Sequence, residues 1–150
     1  MIAATSLLLP QADLVDLATI RAFVREAALA RGMAGPGVDD VVLVADELAT
    51  NIIRHGYGGR PGPVDVAVAG DSTAFIMTLR DRAPEFDPTT RPAPDLDVPL
   101  ERRPVGGMGI HLIRLCIDGM EHRSRPDGGN ELVVTLSLNG KGDVGHADHR

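Results

Sequence analysis

The sequence predicts an α+β fold, a two-layer α/β sandwich in which a mixed, mostly antiparallel sheet carries helices on one face. Segments of alternating apolar residues come in neighbouring pairs joined by short glycine-containing turns. Segments with helical periodicity precede and separate these pairs. The chain has 150 residues, of which 43% are hydrophobic, and this suits one domain with a substantial core.

The N-terminal part of the chain predicts one short strand followed by two helices. The strand covers residues 4–9, and Asp13 is a candidate N-cap for a first helix from about Leu14 to Arg31. Glycines and a proline at residues 32–37 interrupt the chain. A second helix is expected over about Val38 to His55, because apolar residues recur there at helical spacing.

A hairpin of two strands, residues 64–69 and 73–81, is predicted next. Asp81 shares a face of the second strand with apolar residues, so that an apolar face ends in a carboxylate. A buried carboxylate requires hydrogen-bond donors, which a chain turn or a ligand can supply. Residues 83–104 then hold six of the eleven prolines and show no periodicity. Such a segment inside a compact domain is typically a functional lid or a disordered stretch.

A third helix and a second hairpin close the predicted domain. The helix is expected over residues 110–118, after a glycine-rich turn. Two strands, residues 120–124 and 131–138, flank a turn at residues 127–130. The polar, glycine-rich residues 140–150 predict a flexible tail.

The composition argues against nucleic-acid binding and membrane insertion. The net charge is −6, with 21 acidic and 15 basic residues, one Tyr, three Phe and no Trp. A nucleic-acid-binding surface would need a basic stripe and stacking aromatic residues. No apolar run is long enough to span a membrane and no secretory signal is recognised, so a cytoplasmic location is expected. Cys116 is the only cysteine, which excludes an intramolecular disulfide.

The second predicted helix carries a carboxylate and an amide four residues apart, at Glu47 and Asn51. On a helix Asn51 lies about 40° from Glu47, Arg54 about 20° away on the other side, and His55 about 80° away. A carboxylate can act as a general base, and an amide oxygen is a suitable ligand for Mg²⁺. The pair alone is a weak signal, because a solvated polar helix face has the same pattern.

Two further elements would suit the same kind of ligand. Gly106, Gly107 and Gly109 precede the third predicted helix, whose N-terminal N–H groups could bind phosphate oxygens. A tight turn from the proline-rich segment into the helix would explain the same glycines. Asp81 could accept a hydrogen bond from an exocyclic amine such as that of adenine. Together with the pair on the second helix, these elements point to ATP and Mg²⁺.

In order and spacing these residues resemble the motifs of the GHKL ATPase superfamily, which includes gyrase and histidine kinases. Within it, the closest resemblance is to the stand-alone anti-sigma factor serine kinases of bacteria. The helix motif E-x-x-x-N-x-x-x-H-x-Y is matched by Glu47, Asn51, His55 and Tyr57. The motif D-x-G-x-x-F is matched, apart from its glycine, by residues 81–86. The motif G-G-x-G-[LIF] is matched by Gly107, Met108, Gly109 and Ile110, preceded by Gly106.

The resemblance implies a Bergerat-type ATP-binding fold over residues 1–139, with an ATP lid at about residues 87–105. It implies that Glu47 is the catalytic base, that Asn51 ligates Mg²⁺ and that Asp81 recognises adenine. The other nucleotide-binding positions that the motifs imply are His55, Ala83, Phe86, Gly106, Gly107, Met108, Gly109 and Ile110. Such kinases bind a sigma factor and phosphorylate a serine or threonine of a STAS-type antagonist in a partner-switching system. Many of them also form homodimers.

Two departures from the family pattern affect the adenine side. Ala83 replaces the usual glycine, and its methyl group could crowd the turn after Asp81. Asn130 stands about where threonine is usual. Together with the proline-rich lid, these departures motivate an alternative hypothesis, a nucleotide-gated protein-binding module without kinase turnover. A third hypothesis, a severed histidine-kinase catalytic domain, is weaker, because the chain has no phosphoacceptor helical hairpin and another protein would have to supply the histidine.

Overall fold

A five-stranded antiparallel sheet organises the fold. The structure is a computed structural model that describes residues 4–90, 97–99, 101 and 107–138. The strands are β1 (Thr5–Ala12), β2 (Gly62–Gly70), β3 (Ala74–Asp81), β4 (Gly119–Ser124) and β5 (Asn130–Ser137). They lie in the order β1-β2-β3-β5-β4, and each neighbouring pair is antiparallel. The predicted α+β sandwich is confirmed, although the sheet of the described residues is antiparallel throughout rather than mixed.

In the described part of the chain, helices α1 (Leu17–Ala30), α2 (Gly35–Asn51) and α3 (Gly107–Cys116) cover one face of the sheet. Alternate residues of the central strands, such as Val66 on β2 and Val134 on β5, are fully buried in one hydrophobic core with the helices. Helix α2 packs against both α1 and α3. Within the described ranges, no helix is long and apolar enough to cross a membrane.

The first predicted helix begins with a 3-10 turn, Leu14–Asp16, before α1 proper. Asp13 caps this turn, as the sequence predicts. Its carboxylate accepts a hydrogen bond from the N–H of Leu14 at 2.7 Å, and its own N–H donates to the carboxylate of Asp16 at 2.8 Å. This reciprocal cap fixes the connection between β1 and α1.

Helix α2 starts at Gly35, earlier than the predicted start at Val38. Pro36 lies in its first turn, where the missing N–H of proline costs no hydrogen bond and its fixed φ suits a helix. The glycine–proline stretch therefore begins the helix instead of interrupting the chain.

The C-terminal end of α2 continues as a π turn, Ile52–Gly56. A π turn holds more residues than an α-helical turn, so the angular spacing of an α-helix ends at Asn51. Glu47 and Asn51 keep their predicted angular separation on the helix. The angular positions predicted for Arg54 and His55 do not apply, because both residues lie in the π turn.

Helix α3 starts at Gly107 and ends at Cys116, so its predicted bounds, residues 110–118, are wrong at both ends. Gly107 and Gly109 lie within its first turn instead of preceding it. Gly106, the predicted tail and most of the predicted lid lie outside the described residues. At the start of the lid the structure contains a 3-10 turn, Pro88–Thr90.

The register of the sheet brings two polar residues together at one corner. Asp81, the last residue of β3, lies opposite Val64 of β2 and opposite Asn130, the first residue of β5. The carboxylate that ends one strand and the amide that begins the next are therefore neighbours across the sheet.

Candidate functional site

A cavity of about 310 Å³ opens between the end of α2, the π turn, the sheet corner and α3. Its volume lies in the range of small-molecule sites. The walls are mainly apolar, with polar side chains at a few points. The residues that line it are Leu48, Asn51, Ile52, His55, Gly56, Asp81, Ala83, Pro84, Glu85, Phe86, Pro88, Ile110, His122, Asn130 and Leu132.

Asp81 is buried at the sheet corner and lines the cavity. Its Oδ1 accepts hydrogen bonds from the N–H of Ala83 and from Nδ2 of Asn130, each at 2.9 Å. Its Oδ2 accepts none from the described residues. One carboxylate oxygen is thus held by the protein, and the other is free to accept a hydrogen bond from a ligand.

Asn130 holds the turn that follows Asp81. Besides its bond to Asp81, its Nδ2 donates to the carbonyl oxygens of Ala83 and Pro84, at 3.3 and 3.1 Å. Its Oδ1 accepts from the N–H of Phe86 at 2.9 Å. A threonine hydroxyl has one donor and could not make this set of contacts. Asn130, which stands where the family usually has threonine, therefore fixes the turn after Asp81 through a different set of hydrogen bonds.

The methyl group of Ala83 fits its surroundings. Ala83 is buried, and its φ is not positive, so the backbone needs no glycine there. A Cβ added to Gly56 would come within 2.8 Å of the Ala83 methyl carbon. This chain has alanine where the motif has glycine, and Gly56 on the other side of the contact leaves room for the methyl group of Ala83. The predicted crowding of the turn therefore does not occur.

Tyr57 ties the π turn to the sheet corner. Its hydroxyl donates to the carbonyl oxygen of Pro63 at 2.5 Å and accepts from the N–H of Arg82 at 2.8 Å. Its ring lies over Gly62, where an added Cβ would be 2.6 Å from a ring carbon. Burial of the phenol raises the pKa of Tyr57 above its ordinary value. This motif residue therefore positions the backbone next to Asp81 from outside the cavity.

Gly129 closes the same corner from the β4–β5 turn. Its φ is 100°, and a Cβ there would collide with the backbone carbonyl oxygen of Asp81. Nη1 of Arg125 donates to that same oxygen at 2.9 Å. The end of β3 is thus held by a residue that must be glycine and by a guanidinium from the same turn.

Glu47 and Asn51 lie on α2 at the other end of the site. Both side chains are half-buried, and neither makes a hydrogen bond with another described residue. A Cβ added to Gly109 would lie 2.5 Å from Oε2 of Glu47. The glycine in the first turn of α3 therefore lets this carboxylate approach the N-terminal end of that helix.

The structure brings most of the predicted site residues to one cavity. Those that line it are Asn51, His55, Asp81, Ala83, Phe86 and Ile110. Glu47 lies beside it through its contact with Gly109. The side chain of Met108 and all of Gly106 lie outside the described residues.

Two polar residues of the cavity wall, Asn130 and His122, are not among the predicted site residues. The sequence marks Asn130 only as a departure from the family pattern, and it assigns no role to His122. The His122 side chain is 5% exposed, with Nε2 at 2.8 Å from Oδ1 of Asn130 and Nδ1 at 3.8 Å from Oδ2 of Asp87. A signal was present, because alternation along β4 places His122 on the same face as Met120, which packs against the core.

Comparisons with known proteins agree with this geometry. The sequence pattern of the histidine kinase-like ATPase domain matches residues 11–136. The serine/threonine-protein kinase BtrW of Bordetella bronchiseptica is 28% identical over 96 residues, which is 63% of this chain and 67% of that protein. The serine-protein kinases RsbW of Bacillus cereus and Bacillus anthracis are 24% and 25% identical over 109 residues, 70% of this chain and 68% of each relative.

The matched region contains the whole cavity, from α2 to the start of β5. The apolar walls, the carboxylate on β3 and the amide on α2 suit a nucleotide, and membership of this family implies ATP binding. The chain belongs to the histidine kinase-like ATPase domain family, the GHKL-type ATPases.

Proposed function

We propose that this protein is an ATP-dependent serine/threonine-protein kinase and anti-sigma factor. It would bind a sigma factor in one state and phosphorylate a STAS-type antagonist protein in another, as part of a cytoplasmic partner-switching system. The observation that carries the proposal is one cavity that is lined by Asn51 and by the buried carboxylate of Asp81, with Glu47 four residues before Asn51 on the same helix. The similarity to proteins named serine kinases supports the reaction class.

The adenine end is suited to a purine base with an exocyclic amine. Oδ2 of Asp81 can accept a hydrogen bond from such an amine, because no described residue occupies it. Ile110 and Leu132 supply apolar surface for the faces of the base. A base with a carbonyl oxygen in place of the amine would set two acceptors against each other and would bind more weakly.

The phosphate end is suited to Mg²⁺ and to phosphoryl transfer. The side-chain oxygen of Asn51 is a hard ligand of the kind that Mg²⁺ takes alongside phosphate oxygens, and the ion would neutralise the charge of those phosphates. Glu47 would accept the proton of the attacking hydroxyl. A bond then forms between the serine or threonine oxygen and the γ-phosphorus, the bond to the bridging oxygen breaks, and ADP leaves.

The test is transfer of labelled γ-phosphate from ATP, in the presence of Mg²⁺, to STAS-domain proteins encoded in the same genome. The wild type is expected to label a serine or threonine of one of them. Glu47→Gln should reduce the rate by a factor of about 100 or more, since a general base typically contributes that much. Asp39→Asn is the matched control, because Asp39 is an exposed carboxylate on the same helix, away from the cavity. Undiminished transfer by Glu47→Gln would refute the catalytic role of Glu47.

The alternative, a nucleotide-gated binding module without kinase turnover, predicts a different result in the same assay. A partner would be retained only when nucleotide is present, and no phosphoprotein would form. The two departures that favoured this alternative, at residues 83 and 130, both fit the cavity wall without disturbing Asp81. We therefore favour the kinase.

A further inference from the structure

The amide of Asn130 has only one orientation that satisfies its neighbours. On the Nδ2 side it faces three acceptors, the carboxylate of Asp81 and the carbonyl oxygens of Ala83 and Pro84. On the Oδ1 side it faces the N–H of Phe86. Rotating the amide by half a turn would set oxygen against three oxygens and N–H against N–H. The hydrogen-bond partners around Asn130 therefore determine which amide atom is Oδ1 and which is Nδ2.

This orientation determines the state of His122. The second neighbour of Asn130 Oδ1 is Nε2 of His122, at 2.8 Å. Because Oδ1 can only accept, Nε2 must carry a proton and donate. The neutral imidazole is then the Nε2–H tautomer, with Nδ1 unprotonated.

The ring has little freedom to leave this position. Its side chain is 5% exposed, and Nδ1 faces Oδ2 of Asp87 at 3.8 Å. Asp87 is itself held at the start of the Pro88–Thr90 turn, because its Oδ1 accepts a hydrogen bond from the N–H of Thr89 at 2.9 Å. A hydrogen bond from the Thr89 hydroxyl also lowers the pKa of Asp87, so that its carboxylate remains ionised. His122 thus lies between the turn that follows Asp81 and the first residues of the predicted lid, with one hydrogen bond to Asn130.

We propose that His122 is a positioning residue for adenine recognition, which acts by donating from Nε2 to Asn130 so that Asn130 presents the carboxylate of Asp81 to the base. The ring need not touch the nucleotide for this role. The relevant contact is one hydrogen bond in the chain His122–Asn130–Asp81, and its loss would loosen the amide that holds Oδ1 of Asp81. Because the adenine contact is itself part of the proposed function, the test must separate the two.

Two conservative substitutions of His122 test the roles of its two ring nitrogens separately. The amide nitrogen of His122→Gln can stand near the position of Nε2 and retain the donor to Asn130. The amide of His122→Asn can stand near the position of Nδ1 and leaves no donor at the position of Nε2. Arg123→Gln is the control, since Arg123 is exposed on the same strand and points away from the cavity. A purely structural role for His122 would not separate the Gln variant from the Asn variant in base selectivity.

The readout is the ratio of ADP to IDP affinity, measured by calorimetry in Mg²⁺ for the wild type and the three variants. IDP has a carbonyl oxygen where ADP has the exocyclic amine, so the ratio reports how well Asp81 is presented. His122→Gln and Arg123→Gln should keep the wild-type ratio within about two-fold, whereas His122→Asn should lower it by about five-fold, the value of one hydrogen bond. Equal ratios in the Gln and Asn variants would overturn the proposal.

The nitrogen NMR spectrum of the imidazole supplies a test that needs no nucleotide. At pH 8.5 the ring of His122 should carry a proton on Nε2. A ring protonated on Nδ1 alone would overturn the hydrogen-bond chain, whatever the nucleotide data show. If instead the Nε2 proton is found but the wild type does not bind ADP, the proposed function fails, and with it the role of His122 in adenine recognition.

Discussion

The adenine end of the cavity is held together by its own polar groups, whereas at the phosphate end the polar side chains have no protein partner among the described residues. At the first end, Asn130 alone contacts Asp81, Ala83, Pro84, Phe86 and His122. At the second, Glu47 and Asn51 stand on a regular helix without side-chain hydrogen bonds to described residues. The difference indicates that folding fixes the polar groups around Asp81 and leaves those of Glu47 and Asn51 available to ligands.

This difference between the two ends of the cavity predicts how substitutions at each end will affect stability and activity. Changes at the adenine end should lower the free energy of unfolding as well as nucleotide affinity, because the contacts there also stabilise the sheet corner. Changes at the phosphate end should lower the rate of phosphoryl transfer and leave the free energy of unfolding nearly unchanged. The following predictions test this contrast, in order of decreasing expected effect.

Gly129→Ala should have the largest effect, a loss of about 3 kcal/mol or more in the free energy of unfolding. The new methyl group would meet the backbone of Asp81 and Arg82, which cannot move without breaking the β3–β5 pairing. Gly128→Ala is a close control, because its φ of 99° nearly equals the 100° of Gly129 but no atom lies within 4 Å of its added Cβ. Urea unfolding of both variants measures the difference. Equal losses would show that φ alone, and not the contact with β3, requires glycine.

Tyr57→Phe should lower the free energy of unfolding by about 2 kcal/mol, because two hydrogen bonds of the hydroxyl are lost. Urea unfolding at neutral pH measures it. An unchanged unfolding free energy would mean that neither bond stabilises the corner.

The same residue predicts a pH dependence. The folded protein raises the pKa of Tyr57, so the resulting stability is fully present below about pH 10 and is lost as the pH rises through the higher folded value. Tyr57 is the only tyrosine and the chain has no tryptophan, so its ultraviolet titration can be followed directly. The unfolding free energy of Tyr57→Phe should decline less above pH 10 than that of the wild type. A folded pKa at or below that of the urea-unfolded chain would contradict this prediction.

Gly109→Ala should reduce phosphoryl transfer by at least about ten-fold while changing the free energy of unfolding by less than about 0.5 kcal/mol. The added methyl group would displace the carboxylate of Glu47, which is the end of a flexible side chain and moves at little cost. Transfer assays and urea unfolding of the same preparation give the two quantities. In a Glu47→Gln background the substitution should cause little further loss of transfer. A large loss of stability would mean that the phosphate end is as tightly built as the adenine end.

Gly56→Ala should cost about 1 kcal/mol of unfolding free energy, because its methyl group would crowd that of Ala83. The double variant with Ala83→Gly moves the methyl group across the contact. It should be more stable than the sum of the two single changes predicts, by about 0.5 kcal/mol or more. Strict additivity in the double-mutant cycle would show that the two positions are not matched to each other.

The sequence by itself determined the order of helices and strands, the class of fold and six of the residues that line the cavity. These follow from local rules. Apolar spacing distinguishes a helix from a strand, and the alternation of side chains along β3 places Asp81, its last residue, on the buried face. The relation of Glu47 to Asn51 is equally local, because both lie within one α-helical stretch. The errors in the starts of α2 and α3 also have a local cause, since proline and glycine commonly interrupt a helix but are accepted in its first turn.

Only the tertiary structure decided how the adenine end is fixed. Asn130 bonds to Asp81 across 49 residues of sequence and to Phe86 across 44, and His122 enters the cavity wall through the pairing of β4 with β5. Gly129 had a turn signal, but its contact with the end of β3 depends on which strand lies next to β5. The pairing of Gly56 with Ala83 depends on where the π turn meets the sheet corner. Periodicity indicates which face of an element is buried, but which side chains meet depends on strand order and register, and these are set by packing of the whole chain.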